Sequence, residues 1–134
     1  MERHTIPDRP TNIKADSSIF YGKAWDNIKV HKGEVLHNAG FRGRGIDIAV
    51  IDAGFRYLPH IEALHNVNIK GTKSFVDGIT NIFDRSMNTH GLMVLSCMGG
   101  NKPNQYVGTA PEAAFWLLSS EDSRSEFPVE EDYW

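Results

Sequence analysis

Apolar residues are sparse at the start of the chain and then recur in separate runs, whose spacing predicts helices first and strands later. Residues 1–19 are polar and include two prolines, so we predict a tail or linker there and one domain over residues 20–134. Partial helical spacing over residues 20–39 predicts one or two short helices, which Gly40 would end.

Two nearly continuous apolar runs are typical of strands buried on both faces of a parallel sheet. They span residues 46–51 (IDIAVI) and 114–118 (AFWLL). A less regular strand over 67–75 and a helix over 89–98 (THGLMVLSCM) lie between them. This order of elements predicts an α/β fold with an open, mostly parallel sheet.

The acidic end of the chain contains the start of another predicted helix. Pro128 and the two glutamates that follow it suit a first helical turn. The chain stops at Tyr133-Trp134, about one turn later. We therefore expect the sheet to be incomplete in this chain, with the last strand, over 114–118, presenting an uncovered edge.

Composition narrows the class of protein. The chain has 134 residues, 40% of them hydrophobic, and a net charge of −3, which fits a domain with a real core and not a nucleic-acid binder with a basic face. No apolar run approaches the roughly 18 residues of a membrane span. The single cysteine, Cys97, excludes an internal disulfide framework, and we predict that it is buried in the core. The polar residues after Met1 do not predict a secretory signal peptide, so we expect either a cytosolic protein or a natural start upstream of Met1.

Asp52 and His90 are the candidate catalytic residues. Asp52 ends a predicted buried strand, and ligands and catalytic groups gather at that end of open α/β sheets. His90 begins a predicted helix, whose N-terminus favours a neutral ring that accepts a proton. Each residue also has a plain alternative: Asp52 as a solvated turn residue and His90 as a surface or capping histidine, with Asn88 or Thr89 as the helix N-cap.

The remaining patterns favour neither a metal nor a nucleotide. His60 and His65 are five positions apart, which does not match two ligands on one helical face, so we predict no metal site, although backbone carbonyls could hold a calcium ion. Gly40, Gly43 and Gly45 precede the predicted strand, whereas the glycines of a dinucleotide fingerprint follow it. We therefore predict no cofactor.

Three blocks of sequence together resemble a known family. Residues 43–55 (GRGIDIAVIDAGF) are similar to G-x-G-[VI]-x-[VI]-A-[VI]-[IVL]-D-[ST]-G, residues 88–96 (NTHGLMVLS) to H-G-T-x-V-A, and residues 107–113 (VGTAPEA) to G-x-A-P-x-A. These are blocks of the subtilisin-like serine proteases (subtilases, peptidase S8), and they occur here in the family's order. The resemblance covers residues 20–134 and implies the N-terminal half of a catalytic domain whose parallel sheet has helices on both faces.

The resemblance also implies roles for individual residues. Asp52 and His90 match the triad aspartate and histidine, whereas no G-T-S-[MA] block supplies a serine nucleophile. Ala53 and Leu92 stand where the family usually has a hydroxyl residue. A substrate strand would pair near residues 121–127, and no individual substrate-binding residue is assigned.

The implied function is serine endopeptidase activity on peptide or protein substrates, in a secreted or cell-envelope protein, with no cofactor. Because the serine is missing, we expect the chain by itself to be inactive. The alternative is a non-catalytic binding or interaction module related to subtilases, which the missing serine and the two departures from the family pattern would also suit.

Overall fold

The computed structural model of the protein describes residues 17–84 and 86–122. Most of the predicted tail, most of the segment expected to pair with substrate, and the helix expected at Pro128 lie outside the described residues. In chain order the helices and strands are α1 (Ser17–Tyr21), α2 (Trp25–Val30), α3 (Gly33–Asn38), β1 (Asp47–Asp52), β2 (Asn68–Ser74), α4 (His90–Gly99), β3 (Asn101–Lys102), β4 (Tyr106–Val107) and β5 (Ala114–Ser119). Two single 3₁₀ turns, Leu58–His60 and Glu62–Leu64, lie between β1 and β2.

The N-terminal helices form a small cluster of their own. Three short helices occur where one or two were predicted, and the first begins at Ser17, inside the predicted tail. Lys32 adopts a left-handed conformation with φ of 54°, which separates α2 from α3. Tyr21 and Ile28 bury their side chains against Val107 of β4, so this cluster packs on the β3–β4 hairpin.

The main sheet has three parallel strands in the order β1-β5-β2. The prediction of an open parallel sheet is confirmed, and the strand bounds agree with the sequence pattern to within one residue at most ends. The prediction for the last strand was wrong, because β5 lies between β1 and β2 and is not at an edge. Asp52, the last residue of β1, pairs in register with Ser119, the last residue of β5.

Helix α4 covers one face of this sheet and forms the main core with it. Leu92 and Leu95 of the helix contact the apolar face that carries Val50, Phe115 and Leu117. The opposite face is open within the described part of the chain, since Ala49, Ile51 and Trp116 are exposed there. The predicted burial of β1 on both faces is therefore not observed.

The prediction that Cys97 is buried was wrong. The buried side of α4 carries Leu92, Leu95 and Gly99, which recur at helical spacing, and Cys97 lies off that stripe and is exposed. Among the helices described, none has both the length and the apolar character needed to traverse a bilayer.

Candidate active site

Asp52 and His90 come from the two elements that meet at the carboxyl edge of the sheet. Asp52 ends β1 and His90 begins α4, which packs on β1. The backbone at Asp52 is held by the neighbouring strand, because the Ser120 N–H donates to the Asp52 carbonyl oxygen at 3.2 Å. Residues 38 positions apart in sequence are thereby placed side by side.

The two side chains form a hydrogen bond. Nδ1 of His90 lies 2.9 Å from Oδ2 and 3.0 Å from Oδ1 of Asp52. The Asp52 side chain is 9% exposed, whereas the His90 side chain is 61% exposed. Because a carboxylate can only accept, Nδ1 carries the proton in this bond, and in the neutral ring Nε2 keeps its lone pair. The arrangement holds an accessible imidazole in the tautomer of a general base.

The buried Asp52 carboxylate has a second donor. The backbone N–H of Ala53 donates to Oδ1 at 2.7 Å. Ala53 is itself fixed, since its carbonyl oxygen accepts a hydrogen bond from the buried Ser119 hydroxyl at 3.3 Å. These donors offset the desolvation of the charge. The donors to the carboxylate are the His90 ring and the Ala53 backbone N–H, and Ser119 of β5 bonds to the Ala53 carbonyl oxygen, so none of these contacts requires a hydroxyl side chain at position 53.

Gly91 allows the helix to approach the strand closely. A Cβ atom at this position would lie 2.7 Å from the Gly54 carbonyl oxygen and 3.0 Å from Asp52 Cβ. Gly54 faces the segment before the helix in a similarly tight contact and has φ of 151°, a conformation that L side chains rarely adopt. The two glycines therefore set the separation between the elements that carry the pair.

The start of α4 is held by Asn88. The Asn88 Oδ1 atom accepts the His90 backbone N–H at 2.9 Å, whereas Thr89, the N-cap by backbone geometry, makes no capping bond through its side chain. Of the two caps that the sequence left open, Asn88 supplies the side-chain bond. Its position two residues before His90 is the signal from which this contact could have been predicted.

His37 was not singled out by sequence, and it is the one buried histidine among the described residues. Its Nε2 lies 2.9 Å from the Thr109 carbonyl oxygen, which can only accept, so Nε2 carries the proton. Nδ1 then accepts from the Tyr21 hydroxyl at 2.8 Å. Burial lowers the pKa of His37 and raises the pKa of Tyr21, so both groups are neutral near pH 7.

The other candidates from sequence do not assemble into a site. The described residues contain no cluster of three or more histidine, cysteine, aspartate or glutamate side chains that could hold a metal ion. An open groove of about 650 Å³ is lined by residues that include Arg56, Tyr57 and Phe83, and neither Asp52 nor His90 lines it. The Arg56 N–H donates to the Asn88 carbonyl oxygen at 3.2 Å, which places this groove next to the start of α4.

Comparison with known proteins gives the same picture in sequence and in fold. No protein-family profile matches the chain. Subtilisin from Bacillus pumilus is 31% identical over 108 residues, which cover 79% of this chain and 35% of that protein. Subtilisin E from Bacillus subtilis (strain 168) is also 31% identical over 108 residues, which cover 25% of its length. The chain thus spans between a quarter and about a third of these curated relatives.

A solved structure shares the fold. The serine protease MycP1, an essential component of the type VII (ESX-1) secretion system, superimposes with a TM-score of 0.52. The match covers 91% of this chain and 31% of MycP1, at 22% sequence identity.

Proposed function

We propose that this chain, which is similar in sequence to subtilisins and in fold to a subtilisin-like serine protease, forms part of a serine endopeptidase. In this proposal Asp52 and His90 are two members of an Asp/His/Ser triad that hydrolyses peptide bonds. The observation that carries the proposal is the hydrogen bond between the buried Asp52 carboxylate and Nδ1 of the exposed His90 ring.

The geometry suits the roles that the triad mechanism requires. His90 takes the proton of a serine hydroxyl at Nε2 while that oxygen attacks the peptide carbonyl, and it then gives the proton to the leaving amine. Asp52 keeps the proton of the neutral ring on Nδ1 and stabilises the imidazolium that forms. The low exposure of Asp52 strengthens this interaction, because water screens it little.

The nucleophile is not proposed to lie among the described residues. Ser119 and Ser120 lie at the same edge of the sheet as Asp52. Both are buried, so a substrate could not reach their hydroxyl groups. The sequence also contains no G-T-S-[MA] block. In subtilisin itself, removal of the triad serine lowers kcat about 10⁶-fold. We therefore propose that the 134 residues alone do not hydrolyse peptides.

The proposed substrates are peptides or proteins, and the chemistry requires no metal or cofactor. The proposed location is secreted or at the cell envelope. Support for both comes from the likeness to subtilisins and to a protease of a secretion system.

The test begins with the DNA downstream of the Trp134 codon. A reading frame that continues through an asparagine and a G-T-S block would support the peptidase, whereas an immediate stop codon would favour a non-catalytic interaction module. The protein from a continued frame should label with a fluorophosphonate and cleave casein. Asp52→Asn and His90→Ala should abolish cleavage, and the surface change Lys70→Ala should not. Labelling of a serine within these 134 residues would contradict the assignment.

A further inference from the structure

Asn88 joins the loop that follows Asp52 to the loop that precedes His90. Its side-chain oxygen accepts the His90 N–H at 2.9 Å, and its backbone oxygen accepts the Arg56 N–H at 3.2 Å. Arg56 lies four residues after Asp52. We call these two hydrogen bonds the Asn88 clasp.

The backbone around the clasp is tightly packed, whereas the His90 ring is mostly exposed. A Cβ atom at Gly54 would lie 3.0 Å from both the backbone nitrogen and oxygen of Asn88, so the two loops are in tight backbone contact. The Phe55 N–H also joins these loops, by donating to the Ile82 carbonyl oxygen at 3.1 Å. The His90 ring, in contrast, is mostly exposed and is held by Asp52 alone among the hydrogen bonds described.

The position of the His90 backbone therefore decides where its ring can reach. His90 is the first residue of α4, so its backbone N–H has no acceptor within the helix. The first helical turn can therefore fray unless a capping group accepts this N–H. The Asn88 side chain is that acceptor. Because a reacting group that moves by about 1 Å can lose about 10²-fold in rate, a loose first turn would weaken the pair even with Asp52 intact.

We propose that Asn88 is a positioning residue that aligns His90 with Asp52. This inference rests on the proposed function, because it assigns Asn88 to the same pair. Asn88 acts through its Oδ1 acceptor and the tie to Arg56, and it need not touch the substrate.

The test measures how fast the Nδ1 proton of His90 exchanges with water, by proton NMR of the 134-residue chain. Asn88→Ala should speed this exchange about fivefold, the loss expected from removing a side-chain cap. Asn88→Ser keeps an oxygen acceptor and should restore exchange to within about twofold of the unchanged chain. Asn88→Thr, a weaker cap, should give an intermediate rate and replaces the alanine variant if that variant does not fold.

The matched control is Asn81→Ala. Asn81 makes the same kind of turn, with its Oδ1 atom accepting the Phe83 N–H at 3.0 Å, but it does not bond to His90. Its loss should leave the exchange rate of the His90 proton unchanged. Equal rates in Asn88→Ala, Asn81→Ala and the unchanged chain would overturn the positioning role.

The variant Asp52→Asn distinguishes failure of the positioning role of Asn88 from failure of the proposed function. If Asp52→Asn removes the His90 signal while Asn88→Ala leaves it unchanged, the pair stands and the positioning role is wrong. If Asp52→Asn also leaves the signal unchanged, the pair itself is absent, and both proposals are wrong.

Discussion

Gly91→Ala sets two opposing effects against each other at the contact between α4 and β1. An alanine inside a helix is normally more stable than glycine, by about 0.5–1 kcal/mol. Here the new Cβ would lie 2.7 Å from the Gly54 carbonyl oxygen and 2.9 Å from a ring carbon of Phe55. To restore ordinary van der Waals distance from the Gly54 oxygen, the helix would have to retreat by about 0.7 Å.

Overpacking of this kind typically costs about 1–3 kcal/mol, which exceeds the gain in helix propensity. The nearest atom is a backbone oxygen, which cannot rotate away as a side chain could. We therefore expect Gly91→Ala to lower the free energy of unfolding by about 1–2 kcal/mol in a urea titration. The retreat would also lengthen the hydrogen bond from His90 to Asp52, because His90 is the preceding residue.

Gly33→Ala is the matched control for this prediction. Gly33 begins α3, and the nearest atom to its added Cβ would be a side-chain methyl of Ile28 at 3.3 Å. That variant should change the free energy of unfolding by less than about 0.5 kcal/mol. If Gly91→Ala instead stabilised the chain, the close approach between helix and strand would be refuted.

Three other changes test the packing and the buried histidine. Phe115→Ala should lower the free energy of unfolding by about 3–5 kcal/mol in the same titration, because the ring is fully buried; a loss below about 1 kcal/mol would contradict the core. Burial lowers the pKa of His37, so as the pH falls the unfolded chain takes up the His37 proton at a higher pH than the folded chain does. The free energy of unfolding should therefore be constant with respect to His37 above about pH 6.5 and should fall below it, by at most about 1.4 kcal/mol per pH unit. His37→Gln should flatten that slope in melting curves, and an unchanged slope would show that His37 is not its source. Gly71→Ala would place a Cβ 2.5 Å from the half-exposed Trp116 ring, which can swing outward, so it should red-shift tryptophan fluorescence and change stability by less than about 1 kcal/mol; an unshifted spectrum would count against this contact.

The elements of the sheet could be predicted because their signals are local. The apolar run before Asp52 and the run that begins at Ala114 both became strands, and the helix was displaced by only one residue. The glycine beside His90 carries a local signal too, since a glycine lets another backbone approach closely.

The order of the strands and the exposure of single side chains depend on the whole fold, and they were harder to predict. The strand that begins at Ala114 is the central one, with β1 on one side and β2 on the other. No local sequence pattern predicts this order of strands. Cys97 lies in an apolar helix but off its buried stripe, and the buried His37 bonds to Tyr21 and Thr109, which are remote in sequence. Each outcome follows from partners that are remote in sequence.

The tautomer of the His90 ring tests the central claim most directly. Long-range proton–nitrogen NMR of the 134-residue chain, recorded with the ring in its neutral form, reports which ring nitrogen carries the proton. With the Asp52 carboxylate as acceptor, the proton should sit on Nδ1 and should move to Nε2 in Asp52→Asn, whose amide can donate to Nδ1. A ring protonated on Nε2 in the unchanged chain, and indifferent to Asp52→Asn, would contradict the pairing on which the proposed peptidase rests.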